Sequence, residues 1–140
     1  MATVIRAEIS EKNKYWIDKH RHYELKHFCL QYPVWKRTYS ALLDLGIAAS
    51  SLNGMPSGSN EPSDLTAKYA IRKAHYSNKI KMVEQAAIEA DEYLWHYILR
   101  GVTEGLSYTY LKSQLDMPCS KDTYYDRYRK FFWLLSEARN

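Results

Sequence analysis

Apolar residues along this chain recur at helical spacing, and no stretch of useful length alternates with the period of a strand. Tyr15, Trp16, Tyr23, Leu25, Phe28 and Leu30 predict a first amphipathic helix over Ile17–Leu30. Pro33 interrupts it, and Gln31–Tyr32 just before is biased toward extended backbone because the proline ring crowds it. Pro33 itself suits the first turn of a second helix, where a missing N–H costs nothing. That helix would present Trp35, Tyr39, Leu42 and Leu43, so Tyr32-Pro33-Val34-Trp35-Lys36 reads as a corner between two helices. The aperiodic Met1–Lys14 reads as a loosely docked arm.

Residues 46–63 are polar and rich in helix breakers, with Gly46, Gly54, Pro56, Gly58 and Pro62 among several serines. They predict a mobile linker. A long helix is expected from Asp64, a good N-cap type, to about Ala90. Within it Tyr69, Tyr76, Val83 and Ala90 repeat every seven residues, and Ile80, Ala87 and Leu94 each follow a member of that series by four. Such a stripe packs either on the rest of its own chain or on a second copy. Tyr69, Tyr76, Ile80, Val83 and Ala87 are the candidate oligomerisation residues, and a homo-oligomer is expected.

Asp91 restarts the helix, which buries Leu94, Trp95, Ile98 and Leu99 up to Arg100; Gly101 and Gly105 then punctuate the chain. Ser107 is placed to cap a short helix over Tyr108–Gln114, Pro118 ends the turn after it, and Ser120 caps a last helix reaching about Ala138. The predicted class is all-α. An N-terminal helical pair occupies residues 1–45 and a linker 46–63. Residues 64–140 form a long helix followed by a helix-turn-helix.

Composition narrows the partners. The 140 residues carry a formal net charge of +4, a sign that suits a polyanion without requiring one. Thirteen Tyr and four Trp suit both small cores and interfaces. No uncharged apolar run approaches a membrane span, so no membrane partner is expected. Met1–Ser10 holds Arg6 and Glu8 and no apolar segment, so a cytoplasmic setting with Cys29 and Cys119 as free thiols is expected.

The stretch Leu94–Ala138 carries the functional reading: helix, glycine-bearing link, short helix, turn, basic helix. In that order the short helix, through Tyr108, Leu111 and Leu115, packs across the last one and leaves its outer face free to enter a major groove. On the last helix Tyr124, Tyr128, Phe131 and Leu135 share an inward stripe, while Asp122, Asp126, Arg129, Lys130 and Trp133 lie opposite. Lys121, Asp122, Thr123, Tyr125 and Asp126 are the candidate groove readers: Asp126 can accept from a cytosine amine, and Thr123 can meet a thymine methyl. Arg127, Arg129 and Lys130 are the candidate phosphate ligands, and the amides that follow Ser120 favour a phosphate as well.

His20, His22, His27 and Cys29 do not converge on one helix face, so surface histidines and a core thiol are expected and no metal site. Cys119, before a helix start, is a candidate for a lowered pKa. There is no glycine-rich phosphate loop and no enclosed carboxylate pair, so neither a cofactor nor an enzyme is expected.

The arrangement resembles the RinA/ArpU-like family of phage-encoded late transcriptional regulators. The points of resemblance are the corner at Tyr32–Lys36, the polar loop, Thr66-Ala67 opening the long helix, and a C-terminal helix-turn-helix like sigma region 4 with Ser120-x-x-Thr123 and Arg129-Lys130-Phe131-Phe132. The sequence departs from the sigma pattern at Arg127, where an aliphatic residue is usual, and Tyr124 and Tyr128 are expected to fill that space. The resemblance implies promoter binding, activation of late genes and contact with host RNA polymerase. Two alternatives stay open: a DNA-packaging protein like a small terminase subunit, and a phage inhibitor of a host protein.

Overall fold

Asp18 sets where the first helix starts: its carboxylate accepts the backbone N–H of His20 at 2.9 Å, satisfying a donor that has no partner within the helix. The computed structural model describes residues 11–52 and 64–140, with the backbone alone for 47–52. Six helices run through them: α1 (Lys19–Leu30), α2 (Tyr32–Leu52), α3 (Asp64–Ala90), α4 (Trp95–Glu104), α5 (Tyr108–Leu115) and α6 (Lys121–Ala138). No strand occurs among the described residues, and the class is all-α. No helix among them is long and apolar enough to cross a membrane.

Two helix boundaries differ from expectation for local reasons. Gln31 is helical in conformation, not extended, and donates its N–H to Phe28 O at 3.2 Å, closing the last turn of α1. The proline restriction falls on Tyr32 alone, and Pro33 takes its place in the first turn of α2. Further on, α2 does not stop at Gly46 but continues to Leu52. A helical glycine costs about 1 kcal/mol, and the alanines and leucines around it offset that. The linker expected over 46–63 therefore loses its first seven residues to helix, and 53–63 lie outside the described residues.

Packing divides the chain inside α3, not at the linker. One unit joins the residues up to Tyr32 with Met82–Asn140; the other is Pro33–Lys81. The expected N-terminal helical pair is thus split, because α1 packs on α4 and α6. In the second unit Trp35 and Leu42 are buried, the Lys79 ammonium lies 5.4 Å from the centroid of the Trp35 ring, and Leu43 is exposed. In the first unit α4 also packs on α5 and α6 around a core that includes Leu25, Cys29, Val83, Ile98, Leu111, Phe131 and Leu135.

The heptad stripe of α3 is consumed by this arrangement. Ile80, Val83 and Ala87 are 7%, 0% and 0% exposed in the single chain. Side chains that already fill the chain's own interior cannot also form a seam with a second copy, so these three are withdrawn as oligomerisation residues. Tyr69 and Tyr76 stay half-buried.

The stretch before α4 is tighter than its sequence suggests. Asp91 Oδ1 accepts the N–H groups of Tyr93 and Leu94, each at 2.8 Å, and holds a turn that delays the helix to Trp95. The helix then runs through Gly101, expected to break it, and ends at Gly105, whose φ of 70° gives the left-handed cap. Gly101 is needed for closeness, since a Cβ there would lie 2.5 Å from the Tyr124 hydroxyl of α6.

Candidate nucleic-acid interface

α5, the turn after it and the start of α6 are held by short-range ties. Ser107 accepts the N–H of Tyr110 at 3.1 Å and opens α5. Asp116 ends it in the left-handed region (φ 53°), which Asp tolerates better than most residues. The turn is then locked by Met117 N–H donating to Leu111 O at 3.1 Å, by the Lys112 ammonium donating to Met117 O at 3.2 Å, and by the Met117 side chain, fully buried. The Tyr108 hydroxyl donates to Cys119 O at 3.1 Å, tying the start of α5 to the residue before the α6 cap. Ser120 Oγ accepts the Thr123 N–H at 3.2 Å and donates to Thr123 Oγ1 at 3.0 Å, which leaves the Thr123 hydroxyl its own proton to donate.

On α6 the inward stripe is Tyr124, Phe131, Phe132 and Leu135, all buried, with Tyr128 half-buried beside them. Phe132 belongs to the stripe because α1 covers that flank: the His22 ring stands edge-on to it at 4.8 Å, and the Arg139 guanidinium lies 3.8 Å from the Phe28 centroid. His22, expected at the surface, is 8% exposed, whereas His20 and His27 are exposed. Cys29 is the expected core thiol, and burial raises its pKa. Cys119 departs from expectation, since burial pushes its thiol up more than the nearby Lys112 lowers it.

The predicted contact residues divide by exposure. Lys121, Asp122 and Thr123, the first turn of α6, are exposed; Tyr125, Asp126, Arg127, Arg129 and Lys130 are half-buried. Arg127 is engaged inside the protein, donating from Nε to Asp91 Oδ2 at 3.0 Å and from Nη1 to Asp126. This tells against its reading as a phosphate ligand: the ion pair ties α6 to the turn before α4. Asp91 answers in its own titration. Burial pushes its carboxyl up, but the Leu94 and Tyr93 amides and the Arg127 guanidinium outweigh that and hold it below the usual range. Asp126 takes the Arg127 Nη1 donor on Oδ2.

Arg129 and Lys130 differ from Arg127. Neither forms an ion pair among the described residues, and Arg129 Nε is buried without an acceptor. An unsatisfied buried donor costs about 1–3 kcal/mol, more where charge is involved. The two cations have unlike surroundings. Lys130 shares an open cleft of about 440 Å³ with Glu89, Asp91, Glu92 and Arg127. Arg129, about 100° round the helix, is absent from that cleft.

This division gives one expected result. Arg127→Ala should lower the thermal midpoint while leaving the salt dependence of any DNA binding nearly unchanged, because Arg127 serves Asp91 and not a phosphate. Thermal melting by circular dichroism together with a salt titration checks it. A wild-type midpoint with a flattened salt slope would return Arg127 to the interface. No family model, curated protein or solved structure matches the chain.

Proposed function

We propose that this chain binds double-stranded DNA through α5, the turn and α6, and acts as a sequence-specific regulator of phage or prophage late genes. The observation that carries the DNA-binding part is the pair Arg129 and Lys130. Both are half-buried cations without an ion-pair partner among the described residues, and they flank the buried stripe of α6. Two further features support it. The first turn of α6 is exposed, with a helix N-terminus that favours anions, and the turn before it is held by side-chain and backbone bonds that pre-set the angle between α5 and α6. The regulatory part rests on the resemblance to RinA/ArpU-like proteins.

In this reading Thr123 and Asp126 meet base edges, Tyr125 flanks them, and Arg129 and Lys130 neutralise phosphates. Each neutralised phosphate releases condensed counterions, so log K falls with log salt at about 0.9 per contact. The Arg129→Ala/Lys130→Ala double variant should lower affinity for every duplex sequence and reduce the salt slope by roughly two contacts' worth, about 1.8. Fluorescence anisotropy on labelled duplexes across a salt series measures both. A folded double variant with the wild-type slope would remove this face of α6 from the interface. Wild-type protein that binds no duplex would end the reading altogether.

A further inference from the structure

We propose that residues 11–18 form a strap that carries Lys14 onto the DNA backbone beside α6, extending the interface beyond the helix-turn-helix. This rests on the DNA-binding reading and adds a contact residue to it. The sequence marks Met1–Lys14 only as a loosely docked arm, with no periodicity to say where it docks.

The strap is folded by local bonds. Asn13 Oδ1 accepts the Tyr15 N–H at 2.8 Å, and Asn13 O accepts the Trp16 N–H at 3.0 Å. Asp18 then caps α1, whose next turns are fastened to α6: Arg21 donates to Ser136 Oγ and to Ser136 O, each at 3.0 Å. With both ends fixed, the Tyr15 ring lies against Trp133, centroids 6.0 Å apart. Trp133 belongs to the outer face of α6, in line with Asp122, Asp126 and Arg129. The Lys14 side chain is exposed, and its ammonium sits 5.0 Å from the Tyr15 centroid. A cation–π contact of this kind narrows where the charge resides without neutralising it.

Distance along the helix decides what Lys14 meets. At 1.5 Å per residue, Trp133 lies roughly 16 Å from Asp122 along the axis of α6. A major groove is about 12 Å wide, so a helix whose first turns touch base edges has left the groove at Trp133 and faces the phosphate chain at its rim. The strap stands on the Trp133 side of α6, apart from the cleft that holds Lys130. Tyr15 on Trp133 also prevents the second half of α6 from sinking deeper, confining base contacts to its first turns.

The test uses the full chain and a random-sequence duplex of about 30 base pairs, roughly three helical turns. Lys14→Ala should reduce the salt slope by about 0.9, one phosphate contact, with the wild-type melting temperature. Lys14→Arg should restore the slope. Tyr15→Ala, which frees the strap from Trp133, should produce the same loss with Lys14 still present. A Lys14→Ala slope equal to wild type, alongside a flattened slope for Arg129→Ala/Lys130→Ala, overturns the strap and leaves the helix-turn-helix reading standing. If neither variant changes the slope, both fall. A weaker affinity at unchanged slope in Lys14→Ala also overturns the strap contact.

Discussion

Gly101→Val should destabilise the protein by about 3 kcal/mol, the upper part of the usual range for overpacking a tight core, and lower its thermal midpoint by roughly 10 °C. A Cβ at this position meets the Tyr124 hydroxyl at 2.5 Å and Leu111 Cδ1 at 3.3 Å. Neither neighbour has room to move, since Tyr124 is 1% exposed and Leu111 0%. Alanine gives a sharper test of sign. In an exposed helix Gly→Ala gains about 1 kcal/mol; here an overlap of about 1 Å outweighs that gain, and Gly101→Ala should be net destabilising. Tyr124→Phe removes the clashing oxygen, so Gly101→Ala in that background should cost less than in the wild type. If Gly101→Ala raises the midpoint, the close approach of α4 and α6 is wrong.

The parts of the fold that could be read in the sequence are those fixed within four residues. Ser107 and Ser120 cap the helices they were expected to cap, and α6 ends at Ala138 as its pattern predicts. The stripe Tyr124, Phe131, Leu135 points inward because a helix repeats every 3.6 residues whatever it packs against. What the sequence hides is the identity of the partner. Arg127 looks like one more basic residue on a basic helix until Asp91, 36 positions earlier, is brought within 3.0 Å of it. Gly101 looks like a breaker because propensity is local, whereas the need for a missing side chain comes from Tyr124 across the interface.

The inner face of α1 escapes the apolar pattern for a different reason. Counting only apolar residue types puts Tyr23 and Leu30 on its inner face, yet these are 40% and 38% exposed. The buried set is His22, Leu25, Phe28 and Cys29, spaced at three, three and one, which fits a single helical face. Histidine at the head of that series was the available signal, and treating it as a polar residue concealed it. The same omission hid the docking of α1 on α6, and with it the route by which the strap reaches Trp133.

The burial of His22 makes stability depend on pH, with a sign that can be worked out. Packed against Phe132 and Tyr128 of α6 and near Lys26 on its own helix, the imidazole is held neutral. Desolvation first, and the Lys26 charge second, lower its pKa from the ordinary 6.5 to about 4. A base whose pKa is depressed by folding binds its proton more readily in the unfolded chain. Above pH 6.5 neither state is protonated there, and the full contribution to stability is present. As the pH falls below that value the unfolded chain gains a proton that the folded one refuses, and stability drops by up to 1.4 kcal/mol per pH unit. Near pH 4 the folded imidazole is protonated too and the loss levels off, at about 3 kcal/mol in all. Urea unfolding at closely spaced pH values between 7 and 4 should show this decline. His22→Leu keeps an apolar side chain against Phe132 and cannot take a proton, so its stability should be nearly flat across the same window. A wild-type curve as flat as that of His22→Leu would mean that α1 does not enclose His22 against α6.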